Sequence, residues 1–173
     1  MKSSDLSIRR LQAGDAPAYR ELRLRGLREH PQAFTSSYEE DVEKPLSEAE
    51  RRLSGGPDRK FWGAFCAGEL AGMVGLERET RAKNRHKATV VAMYVAPEWA
   101  RRGVGLALMQ ALLADARASR IGNLVLTVTR GNQDAASLYR RLGFQPFGVE
   151  PGAIKVDNEF FDKEHMFLQL SAS

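Results

Sequence analysis

The apolar positions of this chain fall into two alternating periods. Leu6, Ile8 and the run to Leu11 read as a first strand. Asp15 then stands as an N-cap with Pro17 in the first turn. Tyr19, Leu22 and Leu27 recur at helical spacing until Pro31 stops the helix. The stretch 32–44 has neither period. Ser47 and Glu50 form the S-x-x-E pattern of a capping box, which predicts a short helix to about Leu53, ended by Gly55-Gly56-Pro57. Lys60–Cys66 and Leu70–Glu79 flank the turn Ala67-Gly68-Glu69 and predict a hairpin. Lys87–Val95 is nearly all apolar, as expected of a strand at the centre of a sheet.

The second half adds a helix from Val104 to about Ser119, with Val104, Leu108, Ala111 and Leu112 on one face. Its crossover to Leu124–Thr129 predicts a right-handed parallel βαβ unit. Asn132 caps a further helix that ends at Gly143, and the tail carries Phe144–Val149, Ile154–Phe161 broken at Asp157-Asn158, and a final strand with Met166, Leu168 and Leu170. Without a linker or an internal repeat, the pattern predicts one α+β (α/β layered) domain over residues 1–173, built around a mixed sheet.

Composition narrows this picture little. At 173 residues, 43% hydrophobic and 28% charged, the chain is an ordinary globular one. A net charge of +4 suits a polyphosphate ligand, and the scattered basic residues argue against nucleic acid as a partner. The single cysteine, Cys66, lies in an apolar run and reads as a buried thiol of a cytoplasmic protein. The segment from Met1 to Asp5 has no apolar leader core, and no apolar run reaches membrane-spanning length, so no membrane partner is expected.

Two stretches carry the chemistry. The first joins the apolar strand to the helix through Val95-Ala96-Pro97-Glu98-Trp99-Ala100-Arg101-Arg102-Gly103-Val104-Gly105-Leu106. A glycine loop entering a helix offers unpaired N–H groups and the positive end of the peptide dipoles to an anion. Arg101 and Arg102 add full charges. The phosphate-loop pattern G-x-x-x-x-G-K-[ST] is absent, and the dinucleotide pattern G-x-G-x-x-G fails because Leu108 occupies its third glycine. The second stretch reads Asn132-Gln133-Asp134-Ala135-Ala136-Ser137-Leu138-Tyr139-Arg140-Arg141-Leu142-Gly143-Phe144. From spacing alone, Tyr139 falls on one helical face with Ala135, Leu138 and Leu142, as a core residue would.

Together these resemble the motifs of the GNAT superfamily, the Gcn5-related N-acetyltransferases. The first is similar to their pyrophosphate loop, Q/R-x-x-G-x-G/A, with Gly103 and Gly105 in place and Ala100 where a Gln or Arg usually stands. The second matches N-x-x-A-x-x-L-Y-x-x-x-G-F at every stated position. The resemblance covers roughly residues 60–147. It implies a GNAT-like domain whose mixed, mostly antiparallel β-sheet is flanked by helices, with one parallel βαβ unit around the acetyl-CoA loop.

It further implies an N-acetyltransferase that uses acetyl-CoA as co-substrate, without a metal, by direct transfer in a ternary complex. The acceptor would be the primary amine of a small molecule or peptide, and a homodimer is compatible with this reading. Met93, Tyr94 and Val95 would pair through their main chain with the pantetheine arm. Arg101, Arg102, Gly103, Val104, Gly105 and Leu106 would hold the pyrophosphate. Asn132 would contact the cofactor, and Tyr139 would lie beside the sulfur as general acid.

Relatives that acetylate protein termini often carry a Glu where Thr127 stands here, so either a base lies elsewhere or the amine arrives already neutral through a water path. Glu79, His86, Glu39 and Glu40 are candidates, and Glu77 is preferred because it lies nearer the apolar part of its strand. Phe34, Tyr38 and Glu39 fall where the acceptor segment of such enzymes lies. Two alternatives remain open at this point: a transferase using another short acyl-CoA, and a non-catalytic CoA-sensing or interaction module.

Overall fold

The computed structural model describes residues 5–170. Met1–Ser4, part of the segment read above for a leader, lie outside them. Seven strands form one sheet in the order β1-β2-β3-β4-β5-β7-β6. They are β1 (Leu6–Arg10), β2 (Arg59–Cys66), β3 (Glu69–Arg78), β4 (Lys87–Val95), β5 (Asn123–Thr129), β6 (Gln145–Val156) and β7 (Glu159–Gln169). Every neighbouring pair is antiparallel except β4 and β5, which are joined by the predicted crossover helix. The sheet is mixed and mostly antiparallel, as the sequence implied.

The period of two places alternate side chains in two cores. Phe61 and Met73 point to one face, where they meet Tyr19 and Leu22 of α1 (Ala16–Glu29) and Leu53 of α3 (Leu46–Leu53). Their neighbours Trp62 and Val74 point to the other. There they meet Leu108, Met109 and Leu112 of α4 (Val104–Ala118) and Ala136 and Tyr139 of α5 (Gln133–Arg141). Leu108 and Leu112 are fully buried, each stabilising the layer by roughly 1.5–3 kcal/mol. No helix among the described residues is long and apolar enough to cross a membrane.

Two expectations need correction. Ser47 does not cap α3: Pro45, extended at φ −68° and ψ 154°, is the N-cap, so Ser47 lies inside the first turn. The capping box is instead Ser37 with Glu40, which opens α2 (Tyr38–Val42) within the stretch that had no period. The tail strands are also longer than predicted. β6 and β7 form one hairpin around Asp157-Asn158, and irregularities at 146–148 and 150–154 absorb the prolines and glycines of β6.

Candidate functional site

The parallel pair β4–β5 is short. Its pairing runs Lys87 with Asn123, Ala88 with Leu124 and Thr89 with Val125, and then stops, although both strands continue. The cause lies in β4. Met73 pairs with Tyr94 and Gly75 with Val91, so β4 spends one more residue than β3 over that interval. Ala92 sits there at φ 55°, the left-handed geometry of a β-bulge. Such a bulge bends the strand and increases its twist, and β4 leaves β5 at that point.

The gap is a cleft of about 270 Å³ between Thr89–Met93 on one side and Leu126–Thr129 on the other. It opens at the carboxyl ends of two parallel strands, where α/β sheets bind ligands.

Both motifs converge on this end of the sheet. Gly103 is the N-cap of α4, at φ 78°, and Arg101 before it is also left-handed, at φ 58°. The first helical bond runs from the Ala107 N–H to the Gly103 carbonyl. Val104, Gly105 and Leu106 therefore have no intrahelical acceptor for their N–H groups. A Cβ at Gly105 would come 3.2 Å from Leu138 Cδ2 and 3.8 Å from Val95 Cγ2, so this glycine also lets α4 close on α5. Arg101 is exposed, 3.8 Å from Asp134, and Arg102 stacks its guanidinium over Trp99.

Asn132 and Tyr139 both line the cleft. The Asn132 side chain accepts from the Ala135 N–H at 3.3 Å, so it serves as N-cap of α5. Tyr139 is 5% exposed, with its ring edge-on to Phe144 at 5.9 Å. Burial raises its phenol well above the ordinary value, so it stays protonated at neutral pH. Among the described residues its hydroxyl has no hydrogen-bond partner. Met93 lines the cleft beside it. The Tyr94 side chain turns under α1, where its hydroxyl donates to Glu29 at 3.1 Å; burial and that bond push its pKa up to about 12.

One wall of the cleft is built by the segment between α1 and α2. Phe34 lines it, with Ala33, Thr35 and Ser36. That segment is pinned across the sheet. Thr129 donates to the Gln32 carbonyl at 2.8 Å, and Lys163 Nζ donates to Thr35 Oγ1 at 3.0 Å. Burial holds the Lys163 ammonium below the usual lysine range.

Tyr38 and Glu39 are not among the lining residues. Tyr38 lies under the Arg28 guanidinium, and Glu39 is exposed in the first turn of α2. Glu77 pairs with Thr89, at the level where the strands part. Its carboxylate lies 3.5 Å from Arg59 and 3.9 Å from Arg52. Glu79 and His86 are exposed near the start of β4, where the β4–β5 pairing is intact.

Three cations of the cleft escaped sequence reasoning: Arg23, Arg52 and Lys163. Two of them carried a signal. Arg23 falls between Leu22 and Gly26 on the buried stripe of α1, and Arg52 lies three residues after Ala49 on that of α3. A charge on an inward stripe needs a partner or a purpose.

The parallel strand pair opened by a bulge leaves a free edge of β4 facing a cleft lined by Asn132 and the buried phenol of Tyr139. The acetyltransferase (GNAT) family model matches residues 24–144, and the chain belongs to that family. Over 79 residues it is 33% identical to an L-methionine sulfoximine/L-methionine sulfone acetyltransferase of Pseudomonas paraeruginosa. That match spans 46% of this chain and 46% of the relative, so about half of each is compared.

Among solved structures, a GNAT-family acetyltransferase from Streptococcus pneumoniae superposes with a TM-score of 0.88 at 24% identity, covering 96% of this chain and 100% of the other. A GNAT superfamily phosphinothricin acetyltransferase from Sinorhizobium meliloti, in complex with AcCoA, superposes with a TM-score of 0.84 at 18% identity. It covers 96% of this chain and 89% of the other. At such identities the likeness concerns the fold.

Proposed function

We propose that this protein is an acetyl-CoA-dependent N-acetyltransferase acting on the primary amine of an acceptor, by direct transfer in a ternary complex. The observation that carries the reading is the parting of β4 from β5 beyond Thr89 and Val125, with Asn132 and Tyr139 lining the opening. The unpaired edge of β4 at Met93–Val95 offers main-chain groups to the two amides of a pantetheine arm, as one strand does to another. The N–H groups of Val104, Gly105 and Leu106 and the positive end of α4 receive the pyrophosphate, with Arg101 and Arg102 beside them. Asn132 holds the first turn of α5 in place for the thiol end.

Acetyl transfer needs a neutral amine near the thioester carbon, a donor at its carbonyl oxygen and a proton for the leaving thiolate. A β4 N–H serves the carbonyl oxygen. Tyr139, kept protonated by burial, gives its proton to the thiolate. The amine's proton leaves through water to Glu77, whose strand neighbour Thr89 borders the cleft.

Cys66 is 1% exposed, outside the cleft lining, and burial pushes its thiol up, which favours direct transfer over an acyl-enzyme. The named activities of the relatives, acetyl transfer to methionine sulfoximine and to phosphinothricin, support an amine acceptor. Release of free thiol from acetyl-CoA across a panel of amines, with the acetylated amine detected by mass, tests this. Absence of thiol release with every amine, from protein that binds CoA, would instead favour the CoA-sensing module.

A further inference from the structure

None of residues 31–37 is buried, so apolar packing does little to fix this wall of the cleft. Polar ties hold it instead. Arg23 of α1 donates to Ser36 Oγ at 3.2 Å, Thr129 at the end of β5 donates to the Gln32 carbonyl at 2.8 Å, and Lys163 of β7 donates to Thr35 Oγ1 at 3.0 Å. The last two ties cross the split in the sheet. The helix that leads into the segment packs on Phe61, Met73 and Tyr94 of β2, β3 and β4, whereas Thr129 and Lys163 are register partners on β5 and β7.

Packing alone does not account for these two residues. Apart from aromatic residues and Cys66, the buried polar side chains among the described residues are Thr129 and Asp41, each 7% exposed. Both serve this part of the chain, since Asp41 holds the Arg23 that reaches Ser36. A valine at position 129 would fill the same space with no hydroxyl to satisfy. Lys163 is half-buried, which disfavours its charge, and its register partner on β6, Glu150, bonds His165 at 3.1 Å. Thr129 has a second attachment. Its carbonyl accepts from the Asn132 N–H at 3.1 Å, and Asn132 is the N-cap of α5, the helix that carries Tyr139. One residue thus joins the wall at 31–36 to the helix on the other side of the cleft.

We propose that Thr129 and Lys163 are positioning residues for acetyl transfer, which fix the wall at 33–36 against α5 so that the acceptor amine enters a preset site beside the thioester. Neither side chain touches the reacting atoms. The inference rests on the acetyl-transfer reading for what the wall faces, and on the hydrogen bonds alone for how the wall is held.

Thr129→Val keeps the shape of the side chain and removes the donor. Methionine, benzylamine and spermidine serve as acceptor probes with acetyl-CoA. For whichever probe is turned over, the expected result is an acceptor KM about tenfold higher and a kcat within about threefold of the parent, with CoA affinity by calorimetry unchanged. Thr129→Ser restores the hydroxyl and should recover the parental KM. Lys163→Met should also raise the acceptor KM, with a Tm no lower than the parent's, because it removes a half-buried ammonium.

Hydrogen exchange reads the wall without turnover. The Ala33 amide, which donates to the His30 carbonyl at 2.9 Å, should exchange about five- to tenfold faster in Thr129→Val, with the amides of β5 unchanged. Unchanged exchange at Ala33, or faster exchange with an unchanged acceptor KM, overturns the positioning role and leaves transfer standing. If no probe is turned over, the transfer reading fails by itself, and calorimetry of the three probes on CoA-loaded protein takes the place of KM. Binding weakened about tenfold in Thr129→Val then supports the positioning role; equal binding, or none, overturns it.

Discussion

Replacing Tyr139 with phenylalanine separates chemistry from packing at one residue. The ring is 5% exposed and meets Phe144 edge-on, so truncation to alanine would open a cavity costing about 3–5 kcal/mol. Phenylalanine keeps the ring and that contact. The lost hydroxyl has no hydrogen-bond partner among the described residues, so urea unfolding of Tyr139→Phe should match the parent within about 1 kcal/mol. Turnover should behave differently. If the phenol protonates the departing thiolate, its loss should lower kcat about 10²-fold, equivalent to about 2.7 kcal/mol of barrier.

Burial raises this phenol, so it stays protonated across the working pH range, and the parent should show no loss of rate from its ionisation below about pH 10. Thiol release followed at saturating acetyl-CoA reads the rate, and calorimetry with CoA checks that binding survives. Full turnover in a stable Tyr139→Phe protein would make Tyr139 a packing residue only and pass the protonation to water.

Three further substitutions probe other parts of the account. Gly105→Val should fold, because the nearest atom to the new Cβ is the mobile tip of Leu138, yet lose at least about tenfold in CoA affinity by calorimetry; unchanged affinity would remove the start of α4 from the site. Asp41→Asn should cost about 3–5 kcal/mol, or roughly 6–20 °C in Tm, by leaving Arg23 nearly buried without its carboxylate; a loss under 1 kcal/mol would contradict that pairing.

The pH dependence of stability follows from the same group. Burial alone would raise the Asp41 carboxyl, but Lys44 and Arg23 outweigh it and hold the group below its usual range. Its contribution is then full above the unfolded value near pH 4 and is lost as pH falls through the lower folded value; Asp41→Asn should remove that part of the acid limb. Glu77→Gln should leave stability within about 1 kcal/mol, since its ion pairs are long and half-exposed, and flatten the rise of kcat with pH; an unaltered profile would assign the proton to water alone.

Much of the fold was legible because its signals are local. Lys87–Val95 is apolar throughout, and β4 has those bounds; Gly143, at φ 98°, stands just past α5 as its position predicted. The helix that begins at Val104 follows from glycine spacing and the apolar face behind it. The cleft itself was not legible. It depends on Ala92 adopting a left-handed conformation inside an apolar run, with no glycine to mark the bulge. The register of β4 on β3 requires it there, and no property of the residue marks it.

The two capping boxes show a related limit. Ser37-x-x-Glu40 and Ser47-x-x-Glu50 have the same pattern, and only the first is used. Pro45 starts α3 two positions too early for Ser47, while α2 is too short to show a helical period. Arg23 and Arg52 were visible as charges on inward stripes, but they meet at the cleft only when α1 and α3 pack over Phe61.

The most direct test of the central claim is initial-rate kinetics with acetyl-CoA and an amine varied together, with the intact mass of the protein followed in parallel. Direct transfer in the cleft between β4 and β5 predicts intersecting double-reciprocal lines and a protein mass unchanged by acetyl-CoA alone. Parallel lines together with an acetylated protein, formed before any amine is added, would contradict it.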